Sequence, residues 1–366
     1  MNKALIAAAA LVACGISGAA FAEEASKPSA VKNRSIGYVM TAFHYAVQTS
    51  DNKAECPQGL NDGPREQYSA LFPKDGTKRS VTDTDLFYES RVWFPSTEPE
   101  QFTFKEPVSK IAPGINLDGK VGANDFESPE GEKGIDNQMY RMMGCIEDYR
   151  PGGSLYHFTN YYMRVRKYMR VVIELTNVDS LVNDDDVTLT TYRGLDYLFV
   201  DASGNNYLPY GTQKLDQRWG KDFIRTAHGK IVNGVLTTEP AEMNLPYHYA
   251  FNDRGVIRMH GAQLKLKITD EQANGLWGGY IDTESWYRSL NEALGTHSLS
   301  YGRQAAPSMY RALNRLADGY PDPKTGKNTA ISSAIDVSFR QVFIERDSKP
   351  VASNEPKNKD VASLQQ

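Results

Sequence analysis

The sequence predicts a mainly β protein, a jelly-roll-like β-sandwich with a few decorating helices. Three observations point there. Short β-branched and aromatic stretches recur between polar turns: Arg170 to Thr176, Val187 to Tyr192, Tyr197 to Val200, Ile231 to Thr237, Val256 to His260 and Gln263 to Ile268. Leu264, Leu266 and Ile268 alternate with Lys265 and Lys267, the period of a strand with one wet face. Tyrosine is abundant, 21 residues against 14 Phe and 4 Trp, and its apolar face with a polar tip suits half-buried strands.

Taken in chain order, residues 1–22 read as an export signal. Lys3 supplies the positive start, Ala4 to Ala13 the apolar stretch, and Ala20-Phe21-Ala22 a small-x-small cleavage site. Leu11-Val12-Ala13-Cys14 also fits a lipobox, so a lipoprotein anchored through Cys14 is the alternative to a soluble periplasmic or secreted protein. Residues 23–33 form a polar linker. Ile36 to Gln48 reads as a strand, and Cys56-Pro57-Gln58-Gly59 as a turn. Pro64 to Leu71 and Val81 to Trp93 read as short helices, and Asn116 to Gly134 as a long irregular loop.

Tyr161 to Arg170 reads as a strand with a charged face. A loop at Gln272 to Gly275 precedes Gly278-Gly279-Tyr280. Helices follow at Thr283 to Leu294 and Pro307 to Ala317, the second halted by Pro321-Asp322-Pro323. Ala334 to Ile344 returns to a strand. No break in composition divides residues 34–346, which read as a single β-rich domain, and residues 347–366 as a disordered tail.

The chain has 366 residues, 40% hydrophobic and 23% charged, enough for a packed core and unlike a disordered chain. Its only long apolar run is N-terminal, which argues against an integral membrane protein. A formal net charge of -4 lacks the basic excess of a nucleic-acid binder. Three cysteines are present; with Cys14 in the signal, Cys56 and Cys145 remain. In an oxidising compartment such a pair is most simply a disulfide, the alternative being two separate thiols.

Gly134-Ile135-Asp136-Asn137-Gln138, Asn183-Asp184-Asp185-Asp186-Val187 and Tyr320-Pro321-Asp322-Pro323-Lys324-Thr325-Gly326 together resemble an uncharacterised family of secreted proteobacterial proteins without an assigned activity. The resemblance implies secretion and a single architecture. It carries over no catalytic residue.

Four groups of residues are candidate sites. Asp118, Asp125, Asp136 and Asn137 offer the oxygen donors that calcium takes, although Asp and Asn also build turns; Asn183 to Asp186, and Asp322 with Asn328, are weaker versions. Tyr207, Tyr210 and Trp219, and separately Trp277 and Tyr280, could form carbohydrate platforms, since sugar rings stack on exposed aromatic faces. Asp282 and Glu284 are the pair a glycosidase would need. Tyr161 to Arg170 mixes Tyr, Met and Val with Arg and Lys, suiting an anionic glycan or lipopolysaccharide surface.

No G-x-S-x-G, HExxH, Walker A or G-x-G-x-x-G motif occurs. The expectation is therefore an exported, envelope-associated, non-enzymatic binding module for a glycan or other envelope component, with calcium as the candidate cofactor. The rivals are a secreted glycan-active enzyme and a structural or assembly partner of envelope proteins. Oligomeric state has no signature in the sequence.

Overall fold

The computed structural model describes residues 30–61, 104–216, 218, 222–249, 252–294 and 306–346. The signal segment, both helices expected within 64–93 and the tail lie outside the described residues. The strands are β1 (Ser35–Tyr45), β2 (Phe126–Glu127), β3 (Lys133–Ile135), β4 (Val171–Thr176), β5 (Asp184–Arg193), β6 (Gly211–Lys214), β7 (Arg225–Val232), β8 (Val235–Thr238), β9 (Ala241–Tyr249), β10 (Asn252–Ile268), β11 (Gln272–Asp282), β12 (Gly319–Pro321) and β13 (Asn328–Glu345). The helices are α1 (Asn52–Glu55), α2 (Gln138–Met143), α3 (Ser154–Val165), α4 (Thr283–Leu294) and α5 (Ala306–Leu316).

The chain is mainly β, as expected, but it forms a closed barrel where the sequence suggests a sandwich. Eight strands in the order β1-β4-β5-β7-β8-β10-β11-β13 make one antiparallel sheet, and β13 pairs back onto β1. The cause is the length of β13. One flank pairs with β11 from Ala330 to Arg340, and the other with β1 from Ile335 to Val342. A strand shared in this way leaves no edge where two separate sheets could part.

Other differences follow from the same ladders. The segments 256–260 and 263–268 are one strand, β10, with a register shift between His260 and Gln263. The loop expected at 272–275 is the start of β11, where Gly275 is required: a Cβ there would lie 2.2 Å from the Lys265 carbonyl oxygen.

Alternation along the strands fills the barrel. Ile36, Tyr38 and Met40 of β1, Ile173 and Leu175 of β4, Leu264 and Leu266 of β10, Trp277 of β11, and Ile335, Val337 and Phe339 of β13 are all buried in one core cluster. Alternate residues form a small outer cluster. Val39, Val172 and Val342 pack there beneath Leu198 and Leu215 of the segment that leads into and out of β6.

Helix α3 docks where the sheet ladder runs out. β4 pairs with β1 only as far as Val39, so on the flank away from β13 the amide and carbonyl of Phe43 have no strand beside them. Asn160 takes that role: its Oδ1 accepts from Phe43 N at 2.9 Å, and its Nδ2 donates to Phe43 O at 3.3 Å. Beside it the His44 ring stacks on Tyr156, with centroids 3.6 Å apart.

Cys56 and Cys145 form a disulfide across a sequence separation of 89 residues, which joins the end of α1 to the end of α2. Restricting so long a loop in the unfolded chain stabilises the fold by about 4–5 kcal/mol in chain-entropy models. Around it lies a buried ion pair, Arg150 Nη2 to Glu55 Oε2 at 2.6 Å, with both side chains under 3% exposed. Glu55 Oε1 also accepts from Thr49 N, Thr49 Oγ1 and Ser50 N. Burial pushes the Glu55 carboxyl up, but the bonds from Thr49, Arg150 and Ser50 outweigh it and hold the group below its ordinary range.

Arg150→Ala strands the Glu55 charge and is expected to lower the unfolding free energy by about 3–5 kcal/mol, read from urea unfolding at pH 7. Because the folded carboxyl titrates below the unfolded one, the stability it contributes is present above about pH 4.5 and lost as pH falls. An Arg150→Ala curve that overlays wild type would remove the ion pair from this account.

Candidate functional site

The loop between α1 and α2 brings three of the expected metal residues together. Asp136 follows β3, and its Oδ2 accepts from the amides of Leu117 at 2.7 Å and Asp118 at 3.4 Å. Burial first, and then the nearby charges of Asp118 and Asp125, raise the Asp136 carboxyl to about 6 despite those bonds. Asp118 Oδ1 accepts from Lys120 N at 2.8 Å, and Asp125 Oδ2 accepts from Gly122 N. Each is the oxygen-to-backbone bond by which aspartate builds a turn.

Asn137 does not belong with them. It is fully buried, caps α2 by accepting from Tyr140 N, and donates to the carbonyls of Ala46 and Pro113. Its amide is spent on the fold, so the four residues do not converge as a calcium ligand set. Among the described residues, no three His, Cys, Asp or Glu side chains gather as a metal site. The weaker acidic groups are turns as well: Asp184 accepts from the amides of Asp179 and Ser180, and Asp322 from those of Lys324 and Thr325.

Sequence reading missed the partners that distant strands deliver here. Asp318 accepts from Ser332 N at 2.7 Å and Ser332 Oγ at 2.6 Å, and burial raises its carboxyl above the usual range. Tyr280 lies close enough to Asp136, Asp318 and Asp118 that burial, and then those charges, push its phenol up. Tyr320 meets Tyr280 edge to face at 5.5 Å and lies 4.6 Å from the His260 ring, whose Nδ1 is 2.7 Å from Glu242 Oε2. Only the spacing within 116–137 was visible in sequence; Asp318, Tyr320 and His260 arrive through strand pairing.

Trp277 and Tyr280 do not form one platform. Trp277 is fully buried in the barrel core, because it faces inward while Tyr280, three residues on, faces outward. Tyr207 is half-buried against the outer apolar cluster. Tyr210 is held by a bond from its amide to Gln341 O and from its hydroxyl to Glu271 Oε1. Trp219 lies outside the described residues. Of the carboxylates a glycosidase would need, Asp282 Oδ1 accepts from Ser285 N at the start of α4, and Glu284 pairs with Arg288 one turn on.

The basic aromatic segment survives, in a different form. Tyr161 to Val165 is the last part of α3, not a strand, and Arg166 ends the helix. Tyr161, Arg164, Val165, Arg166 and Lys167 are exposed together, with Phe158 one turn earlier. Arg164 also suits the negative end of the helix dipole. Lys167 Nζ lies 4.4 Å from the centre of the Tyr197 ring, and Arg164 Nη1 donates to Gly204 O at 2.8 Å. These exposed aromatic and cationic groups form the candidate binding face.

This chain matches no protein-family model, no curated protein and no solved structure.

The acidic cluster makes a signed prediction. The Asp136 carboxyl ionises near 6 when folded and near 3.8 when unfolded, so the native state holds the extra proton between them. Its contribution is fully present below the lower value and lost as pH rises through the upper. Thermal melts should show Asp136→Asn with a flatter loss of stability between pH 4 and pH 7 than wild type, and no difference between calcium and chelator. A calcium-dependent rise that Asp136→Asn abolishes would restore the metal reading.

Proposed function

We propose that this chain is an exported, envelope-associated binding protein without catalytic activity, which takes an anionic envelope component on its outer face. The observation that carries the reading is the basic aromatic face on α3, set on a barrel whose interior is filled by its own side chains. Trp277, Phe339 and Tyr38 occupy the space in which a hollow barrel would hold a ligand. Binding is thereby directed to the outside.

Charge supports the choice of an anionic partner. No Asp or Glu occurs between Asp148 and Glu174, whereas the exposed Arg164, Arg166 and Lys167 all fall there, in a chain whose net charge is -4. The N-terminal signal pattern and the disulfide support export into an oxidising compartment. The described helices include none long and apolar enough to cross a membrane. The glycan-active enzyme is the weaker reading, since its two carboxylates cap and brace a helix.

Retention on immobilised dextran sulfate tests the reading. R164E/R166E/K167E should elute at clearly lower salt than wild type, while K120E/K133E/K267E, an equal charge change on exposed lysines elsewhere, should shift far less. Equal shifts for the two triple variants would reduce the face to general electrostatics and overturn the proposal.

A further inference from the structure

Helix α3 carries two stripes. Leu155, Thr159 and Met163 are buried toward the barrel. Phe158, Tyr161 and Val165, three and four residues apart, form a second stripe that faces water, and none of them is less than 37% exposed. Beside it Tyr197 and Phe199, alternate residues of an extended segment, are 64% and 54% exposed. An apolar stripe turned outward on a helix already anchored by its inner face has no role in folding. It loses stability nowhere by being covered and gains by leaving water.

The cations are placed to accompany it. Arg164, Arg166 and Lys167 are exposed at the end of the helix. Arg170 lies beneath, fully buried, and among the described residues its Nε and Nη1 have no hydrogen-bond acceptor, while Nη2 reaches Arg164 O at 3.5 Å. The acidic groups of the neighbouring segment are already engaged. Asp196 accepts from Lys214 N at 2.6 Å, and Asp201 accepts from Ser203 Oγ and Asn206 Nδ2. Both carboxylates keep their charge, so the face carries three exposed cations, Arg164, Arg166 and Lys167, against two acidic groups, with apolar side chains at its centre.

From this arrangement we infer that the barrel docks on the surface of an anionic phospholipid bilayer. Helix α3 lies flat in the headgroup region, with Phe158, Tyr161 and Val165 toward the acyl boundary and Arg164, Arg166 and Lys167 against lipid phosphates. The inference rests on the reading of this face as an anion-binding surface and names its ligand. A polyanionic sugar would be served by the cations, but Phe158, Val165 and Phe199 have no polar tip to meet hydroxyls. A bilayer surface rewards both halves of the face, the apolar stripe by burial and the cations by attraction to anionic headgroups.

Sedimentation of the full mature chain with vesicles tests it. Vesicles of phosphatidylcholine with 30% phosphatidylglycerol should carry the protein down, and pure phosphatidylcholine vesicles should carry far less. R164E/R166E/K167E should lower the partition coefficient by about tenfold or more, since each cation near an anionic surface contributes about 1 kcal/mol. F158S/V165S, which leaves the charge unchanged, should also weaken vesicle binding but leave retention on dextran sulfate intact. All five side chains are exposed, and a melting temperature near that of wild type confirms that each variant is folded.

If vesicles fail while dextran sulfate binding still depends on the three cations, the bilayer is wrong and the anion-binding reading stands. Should F158S/V165S bind vesicles like wild type, the flat docking of α3 is wrong. When neither vesicles nor polyanion depend on the cations, both readings fall; a dimer of this chain that F158S/V165S dissolves would overturn the bilayer in favour of a second copy.

Discussion

The pairing of β13 with β1 is the contact on which the rest of the structure depends. It spans Gly37 opposite Val342 to Tyr45 opposite Ile335, with a shift in register between Met40 and Ala42. Without it the eight-stranded sheet would have two long apolar edges. With it the sheet closes, and the inward residues of every strand are forced into one space. Trp277, Phe339 and Tyr38 are among the side chains that fill this space.

The outer surface is held in place by polar devices where the barrel ends. Asn160 completes the hydrogen bonding of β1 at Phe43 and ties α3 to the barrel. Ser154 Oγ donates to Asp148 Oδ1, so the start of the helix is held to the turn before it. That turn leads back to the Arg150–Glu55 pair and the Cys56–Cys145 bridge. A chain of specific interactions therefore fixes the orientation in which α3 turns Phe158, Tyr161 and Val165 outward. A face held this rigidly would lose little entropy on docking to a planar partner.

The strands were legible in the sequence wherever one face is wet. Leu264, Leu266 and Ile268 alternate with lysines, and Ile335, Val337 and Phe339 alternate with Asp336 and Ser338. The disulfide was legible from cysteine arithmetic. Barrel against sandwich was not, since both demand the same alternation and differ only in whether the first and last strands meet. Tyr161 to Arg170 was misread because its mixture of apolar and basic residues fits a short strand as well as a helix end. Trp277 and Tyr280 looked like one platform because they are near in sequence, yet an odd spacing in a strand sends them to opposite faces. Asp318 joins the neighbourhood of Asp136 only through the placement of β12 and β13, which no local pattern encodes.

The measurement that bears most directly on the account is hydrogen exchange of the full mature chain with and without anionic vesicles, resolved by peptide. The account predicts added protection in segments 154–170 and 195–208, with the barrel strands unchanged. Added protection along β11 and β13 instead would mean a ligand inside the barrel, and would contradict the claim that this protein works on its outer face.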